Sequence, residues 1–261
     1  PLDVRCETPV ARIEHSGGRA TAVVTAGGER IPADVVISNG DVLRTHHLLG
    51  RRPPLRRLRP TMSCFLVYMG LDRQVPELLH HTLLVGPGYR DFIRTVTKAR
   101  GIPETYSTYV HTPSRTEAAM APPGGDSVSV LLPVPNLRHR VDWDRESDRL
   151  RDAIVEDMER SYGMSGLGDA VAVEHRMTPV DFARDLGAAW GNAFSIEPTL
   201  TQSAYFRQPN RDRGIANLYH VGGGTHPGAG IPGVLMGAQV TAGLVLADHP
   251  GRRTPIAGVG A

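Results

Sequence analysis

The sequence predicts a mixed α/β (α+β) fold, and three observations carry that prediction. Near the start, paired glycines separate β-branched runs, the pattern of a strand meander. Val35-Val36-Ile37 is continuously apolar, as expected of a strand covered on both faces in a layered α/β domain. Towards the other end, the strand-like "NLYHV" passes through a glycine loop into a helix rich in Gly and Ala.

The elements follow in order. "PVARIEH" alternates, turns at Ser16-Gly17-Gly18-Arg19, and returns as "ATAVVTA". A second turn at Gly27-Gly28 leads through "ERIPA" to "DVVISNG". "GRRPPLRRLRP" breaks the pattern and reads as a crossing between domains. Its Arg51, Arg52, Arg56, Arg57 and Arg59, with Leu55 and Leu58 between them, form either a solvated loop or a patch for an anionic membrane surface. "SCFLVYMGL", "HHTLLVG", "TYSTYVHT" and "DSVSVLLPV" then read as strands, and "YRDFIRTVTKAR" as a helix. Leu150, Ile154, Val155, Met158 and Tyr162 share one helical face. "VAVEHR" is a strand. Thr178-Pro179-Val180-Asp181 opens a helix well, with a capping Thr, an early Pro and an acid in the first turn.

Composition narrows the class. The 261 residues are 40% hydrophobic and 21% charged, with a net charge of +2, so a folded core is expected and whole-molecule charge gives no case for nucleic-acid binding. Cys6 and Cys64 are isolated, without redox or metal spacing, which points to a reducing cytosol. No stretch approaches the roughly 18 continuous apolar residues of a membrane span, and no signal peptide is evident. The opening "PLDVRCETPVARIEH" lacks an initiator Met and enters strand-like sequence directly, as expected of a segment of a longer chain.

Gly228-Ala229-Gly230-Ile231-Pro232-Gly233 is a literal G-x-G-x-x-G, yet it fails as a dinucleotide fingerprint. The strand ends near Val221, well before Gly228, and too few residues follow Gly233 for a helix and a second parallel strand. Two readings remain. One is a turn without a ligand. The other is a helix start whose free N–H groups and partial positive charge suit a flat, electron-accepting ring. Gly233, Gly237, Ala238, Ala242 and Gly243 give the helix a small-residue face. Interior glycines cost about 1 kcal/mol each relative to Ala, so close approach outweighs propensity there.

The segment "NLYHVGGGTHPGAGIPGVLMGAQVTAGLVLADH" resembles the C-terminal signature of the bacterial-type phytoene desaturases, FAD-dependent carotenoid oxidoreductases. "HHTLLVGPGYRDFI", "STYVHTPSRTEAAMAPPGGDSVSVLLPVPNL", "TPVDFARDL", "GNAFSIEPTLTQSAYFRQPNRD" and the opening meander resemble further family blocks, in the family's order. The resemblance implies an FAD-binding Rossmann-like domain of the glutathione-reductase/amine-oxidase type, lacking its N-terminal βαβ unit, plus a mixed-sheet substrate domain. Residues 1–44 and 213–248 would belong to the FAD domain, 45–212 to the substrate domain and 249–261 to a flexible tail.

By the same resemblance, the backbone of Val10 would meet the adenine end of FAD. Gly222, Gly223, Gly224 and Thr225 would approach the ribityl and phosphate groups; Gly223 stands where the family commonly has Ala. Ile231, Pro232, Gly233 and Val234 would start the helix beneath the flavin pyrimidine ring. The implied reaction moves a hydride from an allylic carbon of an acyclic C40 polyene to flavin N5 and a proton from its neighbour, with reoxidation by a quinone or oxygen. The helix start would stabilise the reduced ring by about 0.3–1 kcal/mol, or up to about 2 when partly buried. His226 is either an acid/base near the ring or a histidine bonded to loop backbone. His80, His81 and His111 show no metal spacing and read as structural, with no metal expected. Asp181 and Asp185 fit helix-end electrostatics better than a carboxylate pair, and no G-x-S-x-G elbow supports a hydrolase.

An apolar polyene substrate implies a cytoplasmic protein held peripherally at a membrane. Two alternatives stay open: a related carotenoid or retinoid oxidoreductase, and a non-catalytic C-terminal fragment unable to bind FAD without an N-terminal half.

Overall fold

The structure is a computed structural model and describes residues 2–53, 58–98, 101–102 and 104–250. In chain order these form β1 (Val10–Ser16), β2 (Arg19–Thr25), β3 (Arg30–Pro32), β4 (Val36–Ser38), α1 (Val42–Leu48), β5 (Ser63–Leu71), β6 (His81–Val85) and α2 (Tyr89–Thr97). There follow β7 (Ser107–His111), β8 (Asp126–Val134), α3 (Trp143–Tyr162), β9 (Val171–Met177), α4 (Pro179–Asp185), β10 (Leu218–His220) and α5 (Ile231–Asp248). Two compact units result, one of residues 1–59 with 194–261 and one of 60–193.

In the first unit, β1, β2 and β3 make an antiparallel meander. Gly17 and Gly18 both take positive φ in the two-residue turn between β1 and β2, a conformation that β-carbons resist. β4 and β10 pair in parallel, Val36 opposite Leu218. Ile13, Ala20, Val36, Leu49, Ile215 and Leu218 form the shared core. Buried Asn217 fastens the meander to this pair: its Oδ1 accepts from Ala20 N at 2.7 Å, and its Nδ2 donates to Ala20 O at 2.9 Å and Asp34 O at 2.7 Å.

One expectation needs correction here. Val36 is buried, but Ile37 is 52% exposed, so β4 is covered on one face only. Among the described residues no element covers Ile37 on the second face. The compact unit also takes in residues 45–59 and 194–212, and described residues of these two segments bond to each other. Arg51 pairs with Asp212 at 2.9 Å, and Arg59 N donates to Gln202 Oε1 at 2.6 Å. The expected tail lies outside the described residues beyond Pro250.

In the second unit, five antiparallel strands run in the order β6-β7-β8-β5-β9. Alternation sends Phe65, Val67, Met69 and Leu71 of β5, with Val128, Val130, Leu132 and Val134 of β8, into one core. Leu150, Ile154, Val155 and Met158 of α3 and Phe92 and Val96 of α2 pack in the same cluster, with Tyr162 partly buried against it. This is the helical face that the 3.6-residue spacing predicts. α3 ends at Gly163 in the left-handed region, φ 75°.

α4 begins with a full capping box. Thr178 Oγ1 accepts from Val180 N, and Asp181 Oδ2 accepts from Thr178 N at 2.7 Å. Burial alone would raise the Asp181 carboxyl, but hydrogen bonds from Thr178 and the Arg184 charge hold it below its ordinary value. Thr178→Ala is expected to lower stability by about 1 kcal/mol in urea unfolding, with an unchanged far-ultraviolet spectrum.

Candidate functional site

The glycine loop after β10 divides into a packed half and an open half. Gly224 and Thr225 are buried, and Thr225 Oγ1 donates to Gly222 O at 2.8 Å. A Cβ on Gly222 would meet Asn39 Oδ1 at 2.7 Å, and one on Gly224 would collide with Ser195 and Val42. These glycines therefore serve the protein's own close packing. Gly224→Ala is expected to cost about 1–3 kcal/mol by overpacking, seen as a lower midpoint in thermal melts. Gly230 differs: it takes φ 91°, and a Cβ there would meet nothing within 4 Å.

α5 starts in this open half. No side chain caps it, Pro232 occupies its first turn, and Ile231 is 77% exposed. Gly233 lets the helix close on the loop, since its Cβ would lie 2.9 Å from Gly228 O; Gly237 does the same against His226 O. Gly243 has open space instead. Asn210 joins the whole turn, its Nδ2 donating to His226 O at 3.1 Å, His220 O at 3.3 Å and Thr241 Oγ1 at 3.0 Å. Gly222–Thr225 and Ile231–Val234 thus belong to one strand-loop-helix turn. Val10 stays on the meander, opposite Thr25.

His226 is held by two backbone carbonyls and one side-chain amide. Its Nδ1 lies 3.0 Å from Ala204 O, its N donates to Gln208 O, and its O accepts from Asn210. The Asp181–Asp185 spacing yields a cap and an Arg184 ion pair.

Sequence reasoning missed Arg207. It is 4% exposed and lies beneath the loop, Nη2 donating to Gly223 O at 2.6 Å and Nη1 to Gln202 O at 3.1 Å. Among the described residues no partner reaches its Nε and no carboxylate pairs with it; burial lowers its pKa. The only signal was membership of the block "GNAFSIEPTLTQSAYFRQPNRD", which does not tell a buried arginine from an exposed one. Arg207 also lines a cavity of about 620 Å³ with Arg51, Arg59, Arg213, His46 and Asp212. In the linker patch, Arg51 is engaged by Asp212 and Leu58 is buried, whereas Arg52 and Arg59 are exposed; Leu55, Arg56 and Arg57 lie outside the described residues.

The face of the five-stranded sheet opposite its core is partly open and carries an apolar row beside a polar one. Leu83, Tyr109, Leu131, Leu66 and Met177 are successive cross-strand partners, and Leu83 and Val173 are 71% and 67% exposed. A cavity of about 530 Å³ on this unit is lined by Tyr68, His111, Met120, Val173 and His175 among others. The neighbouring row runs His81, His111, Ser129, Tyr68, His175. His80 joins His81 and His111 at its edge, one ring nitrogen of each lying within 4.8 Å of the others.

α5 is apolar around its circumference, with only Gly237 and Thr241 buried. It is long and apolar enough, by length and composition, to cross a membrane, which amends the expectation from the sequence. The same pattern belongs to a helix at the centre of a larger protein.

The strand, glycine loop and helix stand beside a parallel strand pair, and the class of protein they belong to comes from the family comparison. The flavin containing amine oxidoreductase family matches residues 1–246, and the chain belongs to it. More particularly, it is 44% identical over 248 residues to a lycopene-forming phytoene desaturase of Paracoccus sp. (strain N81106 / MBIC 01143), covering 92% of this chain and 49% of the relative. It is 43% identical to the lycopene-forming phytoene desaturase of Pantoea ananas, covering 92% and 50%. A 4,4'-diapolycopene oxygenase of Methylomonas sp. is 28% identical, covering 95% and 51%. The chain spans about half the length of these relatives. A solved oxidoreductase from Methanosarcina mazei shares the fold, with a TM-score of 0.57 and 16% identity over 90% of this chain and 49% of that one.

Proposed function

We propose that this chain forms part of an FAD-dependent desaturase acting on an acyclic carotenoid precursor such as phytoene. The observation that carries the reading is the open start of α5 above buried Arg207, which bonds to backbone carbonyls and has no carboxylate partner among the described residues. The site fits a flavin: no side chain obstructs Gly230, and both the helix start and the guanidinium favour negative charge. When bound, the flavin supplies the hydride acceptor. Ile231–Val234 would hold its ring, Gly222–Thr225 would shape the neighbouring backbone, and Val10 would meet the adenine end through its main chain. Arg207 keeps a positive charge under Gly223 and stabilises electron density gathering above the loop. His226, tied to backbone, holds the loop in place.

The open sheet face supplies the substrate surface. Its row of apolar partners suits a long hydrocarbon, which burial of apolar area binds without polar contacts. Arg52 and Arg59 would meet an anionic membrane from which such a substrate is drawn.

The exposed apolar residues of α5, and Ile37 beside β10, favour a second statement: flavin retention needs a covering half like the one that the relatives possess. The test is co-production with the N-terminal half of the Paracoccus relative. The expected product is a yellow complex that converts phytoene to more desaturated polyenes. A complex that retains flavin yet leaves C40 and C30 polyenes unchanged overturns the desaturase reading. One that excludes flavin overturns the cofactor reading.

A further inference from the structure

We propose that His80, His81 and His111 bind one transition-metal dication, with Zn2+ as the best fit. His81 and His111 are directly opposite on β6 and β7, which places their side chains on one face of the sheet. Their rings stack with centroids 5.2 Å apart. His80, immediately before β6, turns its ring against both, at 4.3 Å from His81 and 4.8 Å from His111. The Nε2 atoms of His80 and His111 are 3.1 Å apart. Three imidazoles at ordinary Zn–N lengths of about 2.0–2.1 Å hold their nitrogens about 3.3 Å apart, so one pair already has the required spacing. Small ring rotations bring in the third.

The second observation concerns the nitrogens that face away. His80 Nδ1 lies 2.7 Å from Thr116 Oγ1, and His81 Nδ1 lies 2.7 Å from Tyr109 Oη. With each hydroxyl accepting from Nδ1–H, each Nε2 carries a lone pair, the arrangement by which metal-binding histidines are oriented. The donor set is all imidazole. That chemistry selects Zn, Cu or Ni over Mg or Ca. His81 is exposed while His80 and His111 are half-buried, so a fourth position stays open to water. The metal would fasten the edge strand β6 to β7 and to the loop carrying Thr116.

The experiment is titration of Zn2+ into the tag-free, metal-stripped full chain, followed by calorimetry and by thermal melting. One equivalent is expected to bind and to raise the melting temperature. His80→Gln/His111→Gln should abolish both effects while keeping the metal-free melting temperature and far-ultraviolet spectrum. Tyr109→Phe should weaken binding about tenfold, and His175→Ala on the same sheet face should leave it unchanged. Absence of stoichiometric binding to the parent chain overturns the proposal. So does binding that survives in the folded double variant, or that disappears in His175→Ala.

Discussion

Arg207→Met is expected to lower the stability of the chain by about 2–4 kcal/mol in urea unfolding. The guanidinium donates to three backbone carbonyls, those of Gln202, Ile196 and Gly223, from a nearly sealed position. Methionine fills much of the volume but leaves those carbonyls without a donor. Removing an unpaired buried charge recovers part of that cost, which is why the expected loss stays below the sum of three bonds. Arg207→Lys should fall between, since one ammonium cannot reach three divergent acceptors. The effect should extend to the cofactor: in a complex with a covering half, Arg207→Met should retain less flavin per protein, read from the visible absorbance. A variant as stable as the parent, with full flavin content, would remove Arg207 from the site.

Asp212→Asn carries the second large effect, about 2 kcal/mol at neutral pH. Burial alone would raise the Asp212 carboxyl, but hydrogen bonds from His220, Gly214 N and Arg51 hold it well below the usual carboxylate range. The sign follows from the depressed value in the folded state. The site stabilises the fold above the unfolded carboxylate's pKa near about 4, and that contribution is lost as pH falls from about 5 towards 2. The parent chain should therefore lose stability through this window faster than Asp212→Asn, which has no proton to gain there. Parallel curves for the two would show that the ion pair contributes nothing through Asp212's charge.

Much of the fold was legible in the sequence because local pattern and tertiary role agreed. "SCFLVYMGL" and "DSVSVLLPV" coincide with β5 and β8, and the residues at alternate positions enter one core. The Thr178 cap followed from residue types alone. α1 was missed: "VLRTHHL" has little periodicity in its seven residues, and it depends on Asp41 accepting from Leu43 N and Arg44 N. The Arg51–Asp212 pair joins distant segments that read separately as linker and loop, so no local pattern reveals how far the compact unit extends. At the site, the strand, glycine loop and helix were readable as a unit. Arg207 was not, since burial sets its role; His80, His81 and His111 could be named, but their closeness depends on pairing of β6 with β7, thirty residues apart in sequence. The glycines were noticed for their lack of side chains, but at Gly222 and Gly224 the protein itself uses the room.

The parallel pairing of β4 with β10 has a consequence for the order of events during synthesis. Residues 60–193 form one uninterrupted stretch, with neighbouring strands and helices supplying one another's contacts, so that unit can fold as soon as it leaves the ribosome. β4, made earlier, must wait for Leu218–His220 to emerge before it gains its partner. The unit that carries the glycine turn therefore cannot close its parallel pair until all of residues 60–193 have been made, and it closes across that long loop.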